Sequence, residues 1–289
     1  MKNILEQHNI TVFRMINNMK EFSEEARNSG KTIGLIPTMG CLHDGHLSLI
    51  RQAKQENDIV ILSIYVNPTQ FSQGEDFEKY PRNFENDKKL AQRAGVNIIF
   101  YPMTDQLYPE GLTMINYATP VFLKLCGITR PTHFQGVCTI VSKLFDVIHP
   151  TKAYFGRKDY QQYAIIKQMC SDLRYNIDVV GCPTVREEDG LAMSSRNTYL
   201  TSQEREKALC LYDALNTARE LIFSGEKDIQ TIKDEIIEIL SDDNEIKIDY
   251  IAVVDKNTFD NVDVIRNGII ICIAIFVGNT RLIDNLIVE

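Results

Sequence analysis

The sequence predicts an α/β protein: a mostly parallel sheet covered by helices over residues 1–184, joined to a smaller α+β domain over residues 185–289. Three observations predict it. Short β-branched runs alternate with segments of helical period through the first part, and strands that alternate with helices pair in parallel. The strand candidates stop at Pro, Gly or Asn, residues that end a strand and open a loop. After residue 184 the order changes to helices followed by strands, the pattern of an α+β unit.

Each element follows from local pattern. Residues 33–36 form a short apolar run stopped by Pro37; Gly40 and Gly45 come next, and Leu47, Ile50 and Ala53 recur at helical spacing. Residues 59–66 (IVILSIYV) make a strand that halts at Asn67-Pro68, and residues 97–101 make another after a helix stop at Gly95. Val137, Ile140, Val141, Leu144, Phe145 and Ile148 share one helix face ending before Pro150. A strand at 153–155 leads through Gly156 into a helix bearing Tyr163, Ala164 and Lys167, and residues 177–180 close the series. In the second part Thr201 and Glu204 have capping-box spacing. One helical face continues through Ala208, Leu211, Tyr212, Leu215, Ala218 and Ile222. Ile229, Ile232, Ile236 and Ile239 give a second helix, and residues 248–254 and 269–277 read as strands. There is no internal repeat and no low-complexity segment.

Composition narrows the function classes. At 44% hydrophobic and 24% charged residues, the chain matches ordinary globular proteins, which excludes disorder and coiled coil as its main theme. A net charge of −8 argues against a dedicated nucleic-acid binder, whose affinity comes from Lys and Arg on phosphate. The total hides an asymmetry: residues 1–184 carry 20 basic and 18 acidic side chains, net +2, and residues 185–289 carry 11 and 21, net −10. The first part is therefore the expected host of an anionic ligand. Residues 1–18 lack the apolar core of an export signal. The longest apolar run, nine residues at 269–277, falls well short of the roughly 20 that a membrane helix needs. Seven scattered cysteines with no C-x-x-C pair suggest neither a disulfide framework nor a zinc ribbon. The cytoplasm is the expected compartment.

The chemistry concentrates in loops after strands, where parallel sheets bind their ligands. Residues 37–46 (PTMGCLHDGH) place His43 and His46 at a helix start, with free backbone N–H groups and the positive dipole end beside them. Glycines there allow a phosphate close to the backbone. The pattern fits phosphate binding, with the imidazoles donating to charge that develops during group transfer; it also fits ordinary loop histidines or a metal pair. Asn67 and Gln70 follow one strand, and residues 156–162 (GRKDYQQ) follow another. Lys158 suits phosphate, and neutral amides suit hydroxyl and carboxylate groups. Residues 186–197 (REEDGLAMSSRN) sit at the junction, where two hydroxyls and a guanidinium would close over phosphates as a clamp; a plain interdomain loop is the alternative.

Taken together, these segments resemble the pantothenate synthetase (pantoate–β-alanine ligase) family. The resemblance is carried by residues 37–46, YVNPTQF (65–71), RPTHFQGV (130–137), YFGRKDYQQ (154–162), residues 186–197 and the closing GNTRLIDN (278–285), in family order over nearly the whole chain. It implies a Rossmann-like nucleotidylyl-transferase domain with a lid. It also implies a two-step reaction: pantoate attacks the α-phosphorus of ATP to give pantoyl adenylate and pyrophosphate, and β-alanine then displaces AMP. By the same resemblance His43, His46 and Lys158 are the catalytic group. Met39, Gly156, Asp159, Val185, Ser194, Ser195 and Arg196 join them in holding ATP, and Gln70 and Gln162 hold pantoate. Mg2+ is the implied cofactor, and Asp87, in YPRNFEND (80–87), matches the acidic region associated with it. Some relatives carry a second acid where this chain has Asn86. A homodimer is expected, with small molecules as the only other partners. Three other hypotheses differ in their tests: a nucleotidylyl transferase that stops at the adenylylated product, an idle nucleotide-binding module, and a zinc hydrolase.

Overall fold

The computed structural model describes residues 10–289. The first nine residues of the opening segment read for an export signal lie outside the described residues. Six strands form an all-parallel sheet: β1 (Thr11–Phe13), β2 (Ile33–Thr38), β3 (Ile59–Ile64), β4 (Ile98–Phe100), β5 (Lys152–Gly156) and β6 (Asp178–Cys182), in the order β1-β4-β3-β2-β5-β6. Between them run α1 (Ile16–Asn28), α2 (Asp44–Glu56), α3 (Phe84–Ala94), the short α4 (Thr104–Leu107) and α5 (Cys126–Thr129), α6 (His133–Ile148) and α7 (Tyr160–Asp172). Three helices follow, α8 (Ser202–Ala208), α9 (Cys210–Phe223) and α10 (Ile229–Ser241). An antiparallel sheet of β7 (Ile246–Asp255), β8 (Ile269–Val277) and β9 (Thr280–Val288) closes the chain.

This order positions the site. The chain lays down β2, β3 and β4 in one direction, then returns to the other side of β2 to add β5 and β6. The loops leaving β2 and β5 therefore diverge across a switch point, the place where such sheets open a crevice. Those loops and the helix start that follows β2 hold His43, His46 and Lys158.

The structure adds elements that the pattern did not suggest. β1 and α1 precede the first expected strand, and β9 occupies the closing motif, where Arg281, Asp284 and Asn285 interrupt the apolar alternation. The single helix expected from residue 201 to 222 is two, because the Leu209 N–H bonds Glu206 O (3.2 Å) in a tighter turn. Its start is as expected: Thr201 Oγ1 accepts from Glu204 N–H (3.2 Å), and Thr201 N–H donates to Glu204 Oε2 (2.9 Å). β8 is apolar throughout because both its faces are covered. Ile270 and Cys272 join the core of the parallel sheet, while Ile269, Ile271, Ile273 and Ile275 join a second core with α9 and α10.

Helix α6 is buried on nearly every side. At Gly136 it meets the 3-10 turn Pro68–Gln70 so closely that an added Cβ would stand 2.2 Å from Thr69 O. Gly136→Ala is expected to cost about 1–3 kcal/mol by forcing that backbone apart. It should also displace Gln70, which follows Thr69 in that turn; denaturant unfolding measures the first effect.

Candidate active site

Strand β2 delivers the chain to a loop that turns through Gly40 (φ 83°) and Cys41 (φ 52°) before α2 begins. The left-handed region suits glycine and strains cysteine. Asp87, in the first turn of α3, holds the turn in place: Oδ2 accepts Cys41 N–H (2.9 Å) and Oδ1 accepts Leu42 N–H (2.8 Å). Its side chain is buried (1% exposed). Burial pushes the carboxyl above its ordinary range, although the two N–H groups pull the other way. A Cβ on Gly40 would lie 2.8 Å from Asp87 Oδ2, so the glycine makes room for this staple.

The loop presents two imidazoles with ring centroids 4.0 Å apart. His43 N–H donates to His46 Nδ1 (3.4 Å), which leaves the proton of a neutral His46 on Nε2. Burial first, and the Lys158 charge second, lower His43 to about 4. Burial, His43 and Lys158 hold His46 well below its ordinary value. Both rings are thus uncharged hydrogen-bond donors at neutral pH. An arriving anion reverses part of that shift, because opposite charge favours the protonated form.

Beside them lies a shelf of amides. Asn67 Oδ1 accepts from Tyr108 Oη (2.8 Å) and Thr69 Oγ1 (3.0 Å), and its Nδ2 donates to Gly136 O (3.1 Å) and Gln70 Oε1 (3.3 Å). That fixes the carbonyl of Gln70 and leaves its Nε2 against Met39 Sδ (3.0 Å). His133 Nδ1–H donates to Gln70 O (2.8 Å) from below. Burial, then the Arg130 charge, lowers His133 to about 3.

Histidines whose folded pKa lies below the ordinary 6.5 stabilise the fold fully above that value. They lose this contribution as pH falls through about 4 for His43 and about 3 for His133, because the unfolded chain then binds more protons. Unfolding free energy is therefore expected to decline as acid is added below neutrality. His133→Gln should make the slope shallower by up to about 1.4 kcal/mol per pH unit, measured by urea melts across the range.

The turn after β5 carries Lys158, and the segment after β6 folds back over it. Ser195 Oγ donates to Cys41 O (3.1 Å), tying this segment to the histidine loop, while Ser194 Oγ accepts Arg196 N–H (3.2 Å). Arg196 pairs with Asp76 through Nε (3.0 Å) and Nη2 (2.8 Å). Met39, His43, His46, Gln70, Gly156, Lys158, Asp159, Gln162, Val185, Ser194, Ser195 and Arg196 all line one cavity of about 230 Å³. It shares Lys158, Asp159, Gln162, Ser194 and Arg196 of these with a wider cleft of about 1070 Å³ that reaches β9. Asp87 stands behind the loop and does not line either one.

Neighbouring glutamines divide. Gln162 faces the cavity, whereas Gln161 is buried, with Nε2 donating to Val121 O (3.0 Å) and Lys124 O (2.7 Å). The residue pattern missed the carboxylates that restrain the arginines. Glu75 holds Arg130 (2.6 Å) and Asp76 holds Arg196, and only their adjacency in an otherwise ordinary polar loop hinted at it. Among the described residues no group of three or more His, Cys, Asp or Glu side chains is placed to hold a metal ion. The carboxylate of Asp87 is engaged by the loop. A Mg2+ ion that arrives on nucleotide phosphates needs only one or two protein carboxylates and no such cluster.

Comparison with known proteins bears on this geometry. The family model for pantoate–β-alanine ligase matches residues 11–287. A pantothenate synthetase of Thermotoga petrophila is 49% identical over 96% of this chain and 99% of its own length. That of Thermodesulfovibrio yellowstonii is 51% identical over 96% and 99%. The crystal structure of the Thermus thermophilus pantothenate synthetase superposes with a TM-score of 0.90 at 40% identity, over 96% of this chain and 99% of that one. A Francisella tularensis pantoate–β-alanine ligase, solved with β-γ ATP and β-alanine, gives 0.79 at 36%, over 96% and 98%. With a matched model from the first described strand to the last, and the same fold in solved relatives, this chain belongs to the pantoate–β-alanine ligase family.

Proposed function

We propose that this enzyme condenses pantoate with β-alanine to form pantothenate, using ATP, through a pantoyl adenylate and with release of pyrophosphate and AMP. One observation carries the proposal: two uncharged imidazoles, Lys158 and two amides converge on one cavity at the switch point of the sheet. In-line displacement at phosphorus needs charge stabilisation more than covalent help. His43, His46 and Lys158 stabilise the charge that grows on the phosphates as the pantoate carboxylate attacks. Ser194, Ser195 and Arg196 close on phosphate oxygens; the Asp76 pair uses Nε and Nη2 of Arg196, leaving Nη1 to reach the ligand. Met39, Gly156, Asp159 and Val185 border the adenylate, and Gln70 and Gln162 hold pantoate. No side-chain nucleophile is required, because the substrate supplies it.

Residues 1–184 then form the ATP- and pantoate-binding domain, and residues 185–289 a lid that keeps water from the reactive acyl adenylate. The Mg2+ that the family resemblance implies would be carried by the ATP phosphates, while Asp87 serves the loop. A cytoplasmic homodimer suits the chain. Among the described residues no helix is long and apolar enough to cross a membrane, and Met103, Leu112 and Met114 expose apolar surface along one connection.

The test is a pyrophosphate-release assay. Release should require both ATP and pantoate, and AMP should appear on adding β-alanine. Folded protein supplied with Mg2+ that releases no pantoate-dependent pyrophosphate would refute the substrate assignment.

A further inference from the structure

The closing motif has no part in the chemistry described so far, yet it contains two residues that suit a strand poorly. Asp and Asn are depleted in strands, and β9 places them side by side at Asp284 and Asn285. Consecutive strand residues point to opposite faces. Asp284 lies between Leu282 and Leu286 on the face packed against the second core, where it is only 3% exposed. Asn285 shares the other face with Ile287, toward the core of the parallel sheet.

Each has a partner on a different phosphate segment. Asp284 takes both terminal nitrogens of Arg186, through Oδ2 (2.5 Å) and Oδ1 (3.1 Å), and Arg186 Nη1 also donates to Gly190 O (3.0 Å). That fixes the start of the segment that carries Ser194, Ser195 and Arg196. Asn285 spends its side-chain amide on two consecutive carbonyls, Arg157 O (2.9 Å) and Lys158 O (2.8 Å), in the turn that aims Lys158 at the cavity. An ion pair with a buried carboxylate is weak evidence of a stabilising role, since apolar residues of similar size often serve as well. Residues that break the local preference of their element tend to mark functional demands.

We infer that Asn285 is a positioning residue for Lys158, and that β9, through Asp284 and Asn285, sets the spacing between the two segments that bear on phosphate. The inference rests on the phosphate role proposed for Lys158. Asn285 borders the wider cleft, but its side-chain NH₂ is spent on the two peptide carbonyls that flank the lysine, so it acts through Lys158.

The experiment is a double-mutant cycle on pantoate-dependent pyrophosphate release, with kcat and KM for ATP measured on wild type, Asn285→Leu, Lys158→Ala and the double variant. Thermal melts accompany each protein. Asn285→Leu removes both donors at similar volume and should lower kcat by about 10-fold or more, in proportion to a misplaced catalytic charge. The double variant should then be no slower than Lys158→Ala alone, because the amide has nothing left to position. A folded Asn285→Leu enzyme that keeps wild-type kcat, while Lys158→Ala loses it, overturns the inference and leaves the Lys158 role standing. Losses that multiply in the double variant overturn it too. If Lys158→Ala keeps full turnover, the role of the lysine fails first and the inference falls with it. Should Asn285→Leu not fold, Asn285→Ser provides the same comparison with a shorter side chain that lacks the paired amide donors.

Discussion

His46→Ala is expected to lower pantoate-dependent pyrophosphate release by about 10²–10³-fold at saturating ATP, the usual loss for a preorganised donor aimed at developing charge. The cause lies in the local geometry. His46 Nδ1 is tied to the backbone N–H of His43, so the ring cannot rotate freely and its Nε2–H is directed. The ring is uncharged before ATP arrives, held so by burial and by its neighbours His43 and Lys158. An uncharged donor in a shielded pocket needs little reorganisation when negative charge grows on the phosphates. His46→Gln retains one amide donor at similar reach and should recover part of the loss. Steady-state kinetics with pantoate and ATP varied separately would show the effect in kcat more than in either KM. An unchanged kcat in folded His46→Ala would remove this residue from the chemistry.

Asp87→Ala is expected to destabilise the fold by about 3–5 kcal/mol, because two backbone N–H groups lose a charged acceptor in a buried place. Those groups belong to Cys41 and Leu42, so the same change also frees the histidine loop and should remove most turnover. Asp87→Asn separates this role from metal ligation. It keeps one carbonyl oxygen and puts an NH₂ group against the second N–H, so the unfolding midpoint in urea should fall while the Mg2+ concentration that gives half-maximal rate stays put. A metal ligand would behave oppositely: the Mg2+ requirement would climb by about 10–100-fold, the range seen when metal-site contacts are lost, with the stability little changed.

Much of the site is legible because its residues fall into short runs whose types announce their chemistry. Two histidines at a helix start and a lysine after a strand fit an anion site, with ordinary loop histidines or a metal pair as alternatives, and the three line one cavity. β3 and β8 are legible for another reason: a strand buried on both faces is apolar along its length, as Ile269–Val277 is and Ile59–Ile64 is but for Ser63. The restraints are harder to read. Asp76, Glu75 and Asp87 look like any acid in a polar loop or helix start, and Gln161 and Gln162 differ only in which side of a helix turn they occupy. Whether such a side chain binds a ligand or a neighbouring backbone depends on groups far away in sequence, such as Cys41 for Asp87 or Arg196 for Asp76. β9 was hidden because Asp284 and Asn285 break the alternation that marks a strand, and the partners that justify them lie 98 residues earlier for Asp284 and 127 and 128 residues earlier for Asn285.

What the sequence determined by itself is local: the alternation of strands and helices, the positions of the loops, and the kinds of charge and donor each loop carries. These follow from periodicity and from side-chain chemistry, which neighbours along the chain are enough to reveal. Only the tertiary structure decided the spacing between those groups. The reversal of strand order at β2 sets the loops of β2 and β5 on the two sides of one crevice, and part-buried polar contacts from Asp87, Ser195 and Asn285 fix them there. Such contacts join segments remote in sequence, and they hold because a buried donor or acceptor left without a partner is costly.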